Sequence, residues 1–407
     1  MRSGTNQYVI EQGGILLTGA TGFLGGEVLA RLLERDRGTV YALVRAPDQA
    51  AAQARLDAVL ESLMGSAEPW AGRAVAVPGD ITAAGLGLGL AEREWLAERV
   101  ERIIHCAASV SFTLPDSDAR AINVGGTERV LDLAEVCSLR GRGLEYVVHV
   151  STAYVAGTFR GRFSERHLDV AQGFRNSYER SKFEAERLVR ERQRMLPVQV
   201  VRPSIVVGDS RSGWTTAFNV VYAPLRAFAL GALAVIPARR SAPVDVVPVD
   251  YVADAILALA GRPGTTYHLT AGERASTIRE LITLASAYTR RRAPAVVPPA
   301  VYRGLIHPVL LRRGTERRRR LLRRSEVLFP YFAMRMRYDD SLAREALAPQ
   351  GIEPPPLSTY FDRLMDFAEG ARWGRRLPAR HEADRIAEPR RRQRLARPRP
   401  ANGPRTA

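Results

Sequence analysis

Residues 13–33 constrain the fold more than any other stretch. A short apolar run, Gly13 to Thr18, enters Gly19-Ala20-Thr21-Gly22-Phe23-Leu24-Gly25, after which Val28, Leu29, Leu32 and Leu33 recur at helical spacing. This pattern reads as a strand, a glycine turn and a helix. Glycines let a backbone turn tightly and approach a pyrophosphate, which then sits on a helix N-terminus where free N–H groups and the helix dipole favour an anion. A glycine triplet alone is weak evidence, but this one lies between a strand and an amphipathic helix, as the mechanism requires. Gly19, Thr21, Gly22, Phe23, Leu24 and Gly25 are the expected first wall of a dinucleotide site.

A second strand, Thr39 to Val44, ends at Arg45, twenty residues beyond Gly25. An acid at this place would hold a ribose 2′-hydroxyl, whereas an Arg accommodates a 2′-phosphate, so the expected cofactor is NADPH. A helix (about 47–64), a strand (73–77) and a helix (92–99) follow, with Asp80 and Ile81 in a turn placed to border an adenine. Strand 102–106 leads into Ala107-Ala108-Ser109, whose small side chains let a cofactor lie against the backbone. A helix at 118–138 and a strand at 144–150 complete a βα alternation that predicts an α/β fold, a doubly wound parallel Rossmann sheet, with ligands beyond the carboxyl ends of its strands. Ser151 and Thr152 stand at one such end. Strand 198–201 delivers Pro203, Ser204 and Ile205 on the nicotinamide side.

Between them, a helix from about 176 to 194 carries Tyr178 and Lys182. An i, i+4 pair shares a helix face, so phenol and ammonium can project into one site. Lys182 is the only lysine; every other one of the 60 basic Lys and Arg residues is arginine. Lysine is a compact point charge that can sit close to an ionising group, and a cation beside a phenol favours the phenolate and lowers its pKa, making a usable general acid.

At 407 residues with 46% hydrophobic content, the chain has room for one large α/β domain with appendages. Cys106 and Cys137 lie in apolar stretches without framework or metal spacing, which favours reduced thiols and the cytoplasm. No apolar run suggests a signal peptide or a spanning helix, and the six histidines lack metal-ligand spacing. The net charge of +17 is concentrated in residues 312–324 and 371–407, and the rest is nearly neutral. A dedicated nucleic-acid-binding fold is therefore not expected.

Four regions are predicted: a Rossmann NADP-binding domain (1–210), a substrate-binding region interleaved with returning Rossmann elements (211–290), a helical extension (291–377) and a disordered Arg/Pro-rich tail (378–407). The apolar, aromatic residues 214–236 suggest a pocket wall for a greasy substrate, with core packing as the competing explanation. Strand-like 244–249, helix 250–260, strand 266–269 and helix 276–290 resume the compact fold. Beyond them come Pro-punctuated residues 294–311, the first Arg run, an aromatic patch (Phe329, Tyr331, Phe332, Tyr338) and a helix at 357–370. An apolar-then-basic segment could lie on an anionic membrane or grip a phosphorylated carrier, although a charge run is more often a solvated face.

With residues 18–25, Thr152 and Tyr178 to Lys182 in this order, the chain resembles the extended short-chain dehydrogenase/reductases. His105 to Phe112, Ile122 to Thr127 and Val150 to Gly157 look like the fatty acyl-CoA reductase (male-sterility) and thioester-reductase branch, over roughly residues 13–290. The resemblance implies that Thr152 hydrogen-bonds a substrate carbonyl, Tyr178 donates the proton, and Lys182 binds the nicotinamide ribose and lowers the Tyr178 pKa. Asn123 would be a structural support, and Ser151 a competitor for the Thr152 role. The implied reaction is hydride transfer from NADPH to a long-chain acyl thioester, on coenzyme A or an acyl carrier protein, giving aldehyde or alcohol. The alternatives are a reductase or epimerase of a sterol-like alcohol or a nucleotide sugar, and a non-catalytic cofactor sensor. Sugar nucleotides need polar partners that 214–236 lack, and intact Tyr178 and Lys182 argue against a sensor.

Overall fold

A computed structural model describes residues 13–140, 143–218, 220–313, 316 and 326–396. Its frame is a parallel sheet of β1 (Gly14–Thr18), β2 (Val40–Val44), β3 (Ala74–Pro78), β4 (Val100–His105), β5 (Tyr146–Val150), β6 (Val198–Pro203) and β7 (Thr266–Leu269). The order across it is β7-β6-β5-β4-β1-β2-β3, the doubly wound arrangement expected from the sequence. Winding reverses between β1 and β4, and the crevice beyond the strand ends at that point is where such sheets hold ligands.

Among the described residues, the α-helices of eight or more residues are α1 (Phe23–Arg35), α2 (Gln49–Met64), α3 (Leu90–Ala97), α4 (Asp116–Leu139), α5 (Ser177–Arg192), α6 (Tyr222–Ala229), α7 (Val249–Leu259), α8 (Ile278–Thr289), α9 (Leu357–Gly370) and α10 (Ala383–Ala396). Side chains alternate across the pleat, so Ile15 and Leu17 pack with Val28, Leu29 and Leu56 beneath α1, α2 and α7. Leu16, Ile103 and Val147 face the opposite side and meet Leu96, Val130 and Val189 of α3, α4 and α5. With both faces covered, the strands are apolar almost throughout.

Three expectations change on contact with the structure. Residues 244–249 form two short strands, Pro243–Val244 and Val246–Pro248, because the buried Asp245 carboxylate turns aside to accept the N–H groups of Ala271 and Gly272 at 2.8 and 3.0 Å. Within 214–236, core packing accounts for only part of the segment: Trp214 is 2% exposed, and Tyr222, Leu225 and Phe228 pack against Tyr360, Phe361 and Leu364 of α9.

The tail is the third correction. Residues 383–396 are the helix α10, packed on α9, where disorder was expected. Composition misleads here because the arginines are used internally. Arg394 pairs with Asp362 and Asp366 at 2.8 and 3.1 Å, and Arg380 reaches Glu27, buried in α1, at 3.5 Å. Ala383, Ile386 and Ala387 are buried, and the Trp214 indole donates to the Pro378 carbonyl at 3.1 Å. Arg380 and Arg394 are thus held in ion pairs within the fold. Residues 397–407 and most of the 312–324 run lie outside the described residues. Among the described residues, no helix is long and apolar enough to cross a membrane.

Candidate active site

A cavity of about 760 Å³ lies beyond the carboxyl ends of β1 to β6. The turn after β1 forms one wall. Gly19 sits at φ +78°, and a Cβ there would come 2.7 Å from the Ala107 amide nitrogen; a Cβ on Gly25 would come 2.1 Å from the Gly19 carbonyl oxygen. Only glycine allows β1, the β4 loop and α1 to close this tightly. The Gly22 cap contributes no side-chain hydrogen bond at the start of α1, so the first-turn N–H groups are left for a ligand. Thr21, Phe23 and Leu24 line the same wall.

Arg45 lies at the far end, where Arg55 of α2 donates to the Arg45 carbonyl at 2.8 Å, so two guanidinium groups face the cavity rather than the one expected. Asp80 and Ile81 line the side between them and the β4 loop. The Thr82 amide and hydroxyl donate to the Asp80 carboxylate at 2.8 and 2.7 Å. Ala107, Ala108 and Ser109 form the floor, with Pro203, Ser204 and Ile205 opposite. Asn123 fixes the floor: it accepts from the Ser109 amide at 2.8 Å and donates to the Ser109 carbonyl and the Ser181 hydroxyl at 3.1 and 2.9 Å. The donor set, the close glycine backbone and the guanidinium pair suit the phosphates of a dinucleotide.

Thr152, Tyr178 and Lys182 meet at the other end of the cavity. Asn176 caps α5 by accepting from the Glu179 amide at 3.0 Å, and the Ser177 hydroxyl donates to the Leu114 carbonyl at 2.7 Å, setting where the Tyr178 turn begins. The Lys182 ammonium, 2% exposed, donates to the Val150 carbonyl at 2.9 Å. Burial pulls its pKa down to about 8, with the Glu186 charge opposing the fall. Burial likewise pushes the Tyr178 phenol up to about 12; its hydrogen bond with Thr152 works downward and the Glu179 charge upward. Lys182 was expected to lower the Tyr178 pKa; the largest influence on the phenol here is its desolvation, and the ammonium is held by a backbone carbonyl.

Ser151 is committed elsewhere. Its hydroxyl donates to Glu186 at 2.7 Å, and Glu186 pairs with Arg202 at 2.5 Å, both side chains being fully buried. Thr152 is the hydroxyl near Tyr178; it accepts from the Tyr154 amide at 3.2 Å and donates a long hydrogen bond to the Pro203 carbonyl at 3.4 Å.

A family model described as male sterility protein matches residues 17–256. The chain belongs to that family. Among similar proteins, the fatty acyl-CoA reductase wat of Drosophila melanogaster is 30% identical over 289 residues, covering 62% of this chain and 55% of the relative. A carboxylic acid reductase of Segniliparus rugosus is 34% identical over 291 residues, covering 62% of this chain and 23% of the relative. The chain thus spans about half, or less, of the length of these curated relatives. The crystal structure of the terminal R domain from the myxalamid PKS-NRPS biosynthetic pathway matches with a TM-score of 0.76 at 29% identity, over 90% of this chain and 92% of that one.

In this member of the male sterility family, one cavity residue comes from far outside the Rossmann frame. Tyr331 belongs to the 3-10 segment Glu326–Ala333. Its hydroxyl donates to Glu179 at 2.6 Å and accepts from Asn176 at 2.7 Å, and its ring meets Phe112 and Tyr154 at centroid distances of 5.4 Å. Phe112 in turn stacks on Tyr178 at 5.5 Å. The aromatic patch was visible in the sequence, but nothing local tied it to the site. Of the apolar segment read as a greasy wall, Thr216, Ala217 and Val220 reach the cavity.

Proposed function

We propose that this chain is an NADPH-dependent reductase of long-chain acyl thioesters. The observation that carries the reading is the convergence of Thr152, Tyr178 and Lys182 at one end of a cavity whose other end offers the glycine turn, Arg45 and Arg55. The turn and α1 would hold the pyrophosphate, Arg45 with Arg55 the 2′-phosphate, and Lys182 the nicotinamide ribose. The bound cofactor would supply a hydride to the thioester carbonyl carbon.

As charge develops on the carbonyl oxygen, Thr152 and Tyr178 donate hydrogen bonds to it, and Tyr178 delivers the proton. A donor with a pKa of about 12 keeps its proton until the oxygen becomes more basic than a phenolate, which confines transfer to the reduced centre. The resulting hemithioacetal loses its thiol by breaking the C–S bond, leaving an aldehyde; a second hydride and proton would give an alcohol. Phe112, Tyr154 and Tyr331 enclose the reacting end in apolar surface, which suits an acyl chain better than a sugar. Both the acyl-CoA reductase likeness and the near-complete overlap with an R domain support a thioester substrate.

The test is NADPH oxidation with long-chain acyl-CoA or acyl carrier protein, with free thiol measured in parallel. Thiol appearing with NADPH consumption is expected. NADPH consumed without thiol would favour the ketone or alcohol reductase reading instead.

A further inference from the structure

A second cavity, of about 830 Å³, opens on the other side of the segment that carries Tyr331. Arg160, Arg239, Arg240, Arg279 and Arg335 line it together with Arg175, and no carboxylate does. Arg175 is occupied, pairing with Glu179 at 3.1 Å and lying over the Tyr331 ring at 5.4 Å. The other five guanidinium groups form no ion pair or hydrogen bond among the described residues. The contrast is local. The adjoining cavity of about 310 Å³, which Arg239 and Arg335 also line, does hold a carboxylate, Glu273, 3.8 Å from Arg337, and its Arg162 pairs with Asp339 at 2.9 Å.

Five unpaired arginines around one concavity repel one another, and a cleft lined by one sign of charge concentrates the opposite sign. Guanidinium forks match phosphate oxygens two at a time, which a solvated surface charge does not require. Between the arginines, Phe159, Ala238, Val296 and Met334 give the cleft an apolar floor. Met334 is also the link inward. It lines a narrow apolar space of about 40 Å³ with Tyr154, Ile205, Val220 and Tyr331, and these four also line the cofactor cavity. Arginine cleft, narrow apolar space and catalytic cavity therefore share walls in series.

We propose that this cleft seats the phosphate of the phosphopantetheine handle on which the acyl group arrives, with the thioester running past Met334 and Tyr331 to Thr152 and Tyr178. The proposal rests on the thioester reading above and adds where the substrate is gripped. Coenzyme A and an acyl carrier protein share this phosphate ester, so the experiment separates them.

The variant Arg239→Ala/Arg240→Ala/Arg279→Ala is compared with wild type on an acyl-CoA, the matching acyl carrier protein and the matching acyl-pantetheine, which lacks the phosphate. For a phosphate-bearing substrate, KM should rise at least tenfold more than for acyl-pantetheine, with kcat changed less than threefold. Free phosphopantetheine, titrated calorimetrically into NADP⁺-saturated protein at low salt, should bind wild type and lose at least tenfold in affinity to the variant. A selective KM rise for acyl-CoA alone assigns coenzyme A; one for the carrier, with phosphopantetheine binding intact in wild type, assigns the carrier's handle. Equal KM changes on all three substrates overturn the proposal. So does loss confined to the carrier without phosphopantetheine binding, since the arginines would then meet the carrier's protein surface. If wild type reduces none of the three, the thioester reading fails, and the calorimetric arm alone decides whether the cleft holds phosphopantetheine.

Discussion

Replacing Lys182 by methionine should abolish reductase activity and make the protein more stable. The ammonium is 2% exposed, and burial lowers its pKa from 10.5 to about 8. At about 1.4 kcal/mol per pKa unit, holding the charged form costs the folded state about 3 kcal/mol at neutral pH. Methionine fills similar space without that charge; it forfeits the hydrogen bond to the Val150 carbonyl, about 1 kcal/mol. The net expectation is a gain of about 2 kcal/mol at pH 7. The sign with pH follows from the direction of the shift. A lysine whose folded pKa lies below its unfolded value loses its proton first in the folded state, so wild-type stability rises between about pH 8 and 10.5 and is flat below. The advantage of the variant should therefore shrink as pH climbs from 8 to 10. Urea unfolding of both proteins without cofactor, at pH 7 and pH 10, measures it. A variant less stable than wild type at pH 7, or a difference identical at both pH values, would refute the reasoning.

Gly25→Ala places a methyl 2.1 Å from the Gly19 carbonyl oxygen, so the turn must open, and NADPH affinity should fall more than tenfold by fluorescence titration. Unchanged affinity would mean the turn does not hold the pyrophosphate. Arg45→Ala/Arg55→Ala should weaken NADPH binding by about tenfold, roughly 1.4 kcal/mol, and leave NADH binding as it was; equal losses for both cofactors would remove the 2′-phosphate role. Ending the chain after Leu377 removes Arg380 from the buried Glu27 and strips Ile386 and Ala387 from the core. Stability should drop by about 3 kcal/mol in urea unfolding, and an unchanged midpoint would show that α10 is dispensable.

The Rossmann half was readable because its signals are local. A strand, a glycine turn and a helix announce themselves within 21 residues, and each later strand end brings its cavity residues with it, so Asp80, Ala107 and Thr152 follow from one another. Tyr178 and Lys182 needed only helical spacing. What the sequence hid depends on contacts between distant segments. Tyr331 reaches Glu179 across 152 residues, and Arg380 reaches Glu27 across more than 350. No periodicity marks such partners. The tail reads as disordered by composition because arginine in a solvated coil and arginine pairing with Asp366 are the same letter. The upward shift of Tyr178 was equally out of reach, since it follows from burial that three-dimensional packing decides.

The central claim is that Tyr178 and Thr152 protonate and stabilise the oxygen of a reduced acyl thioester. Single-turnover reaction of NADPH-loaded protein with a long-chain acyl thioester, following NADPH absorbance and free thiol together, tests it most directly in wild type and Tyr178→Phe. Wild type should release thiol in step with NADPH oxidation, and Tyr178→Phe should slow both by about 10² to 10⁴-fold while still binding NADPH, the range lost with a positioned general acid. Undiminished turnover in Tyr178→Phe would contradict the mechanism with the fold intact.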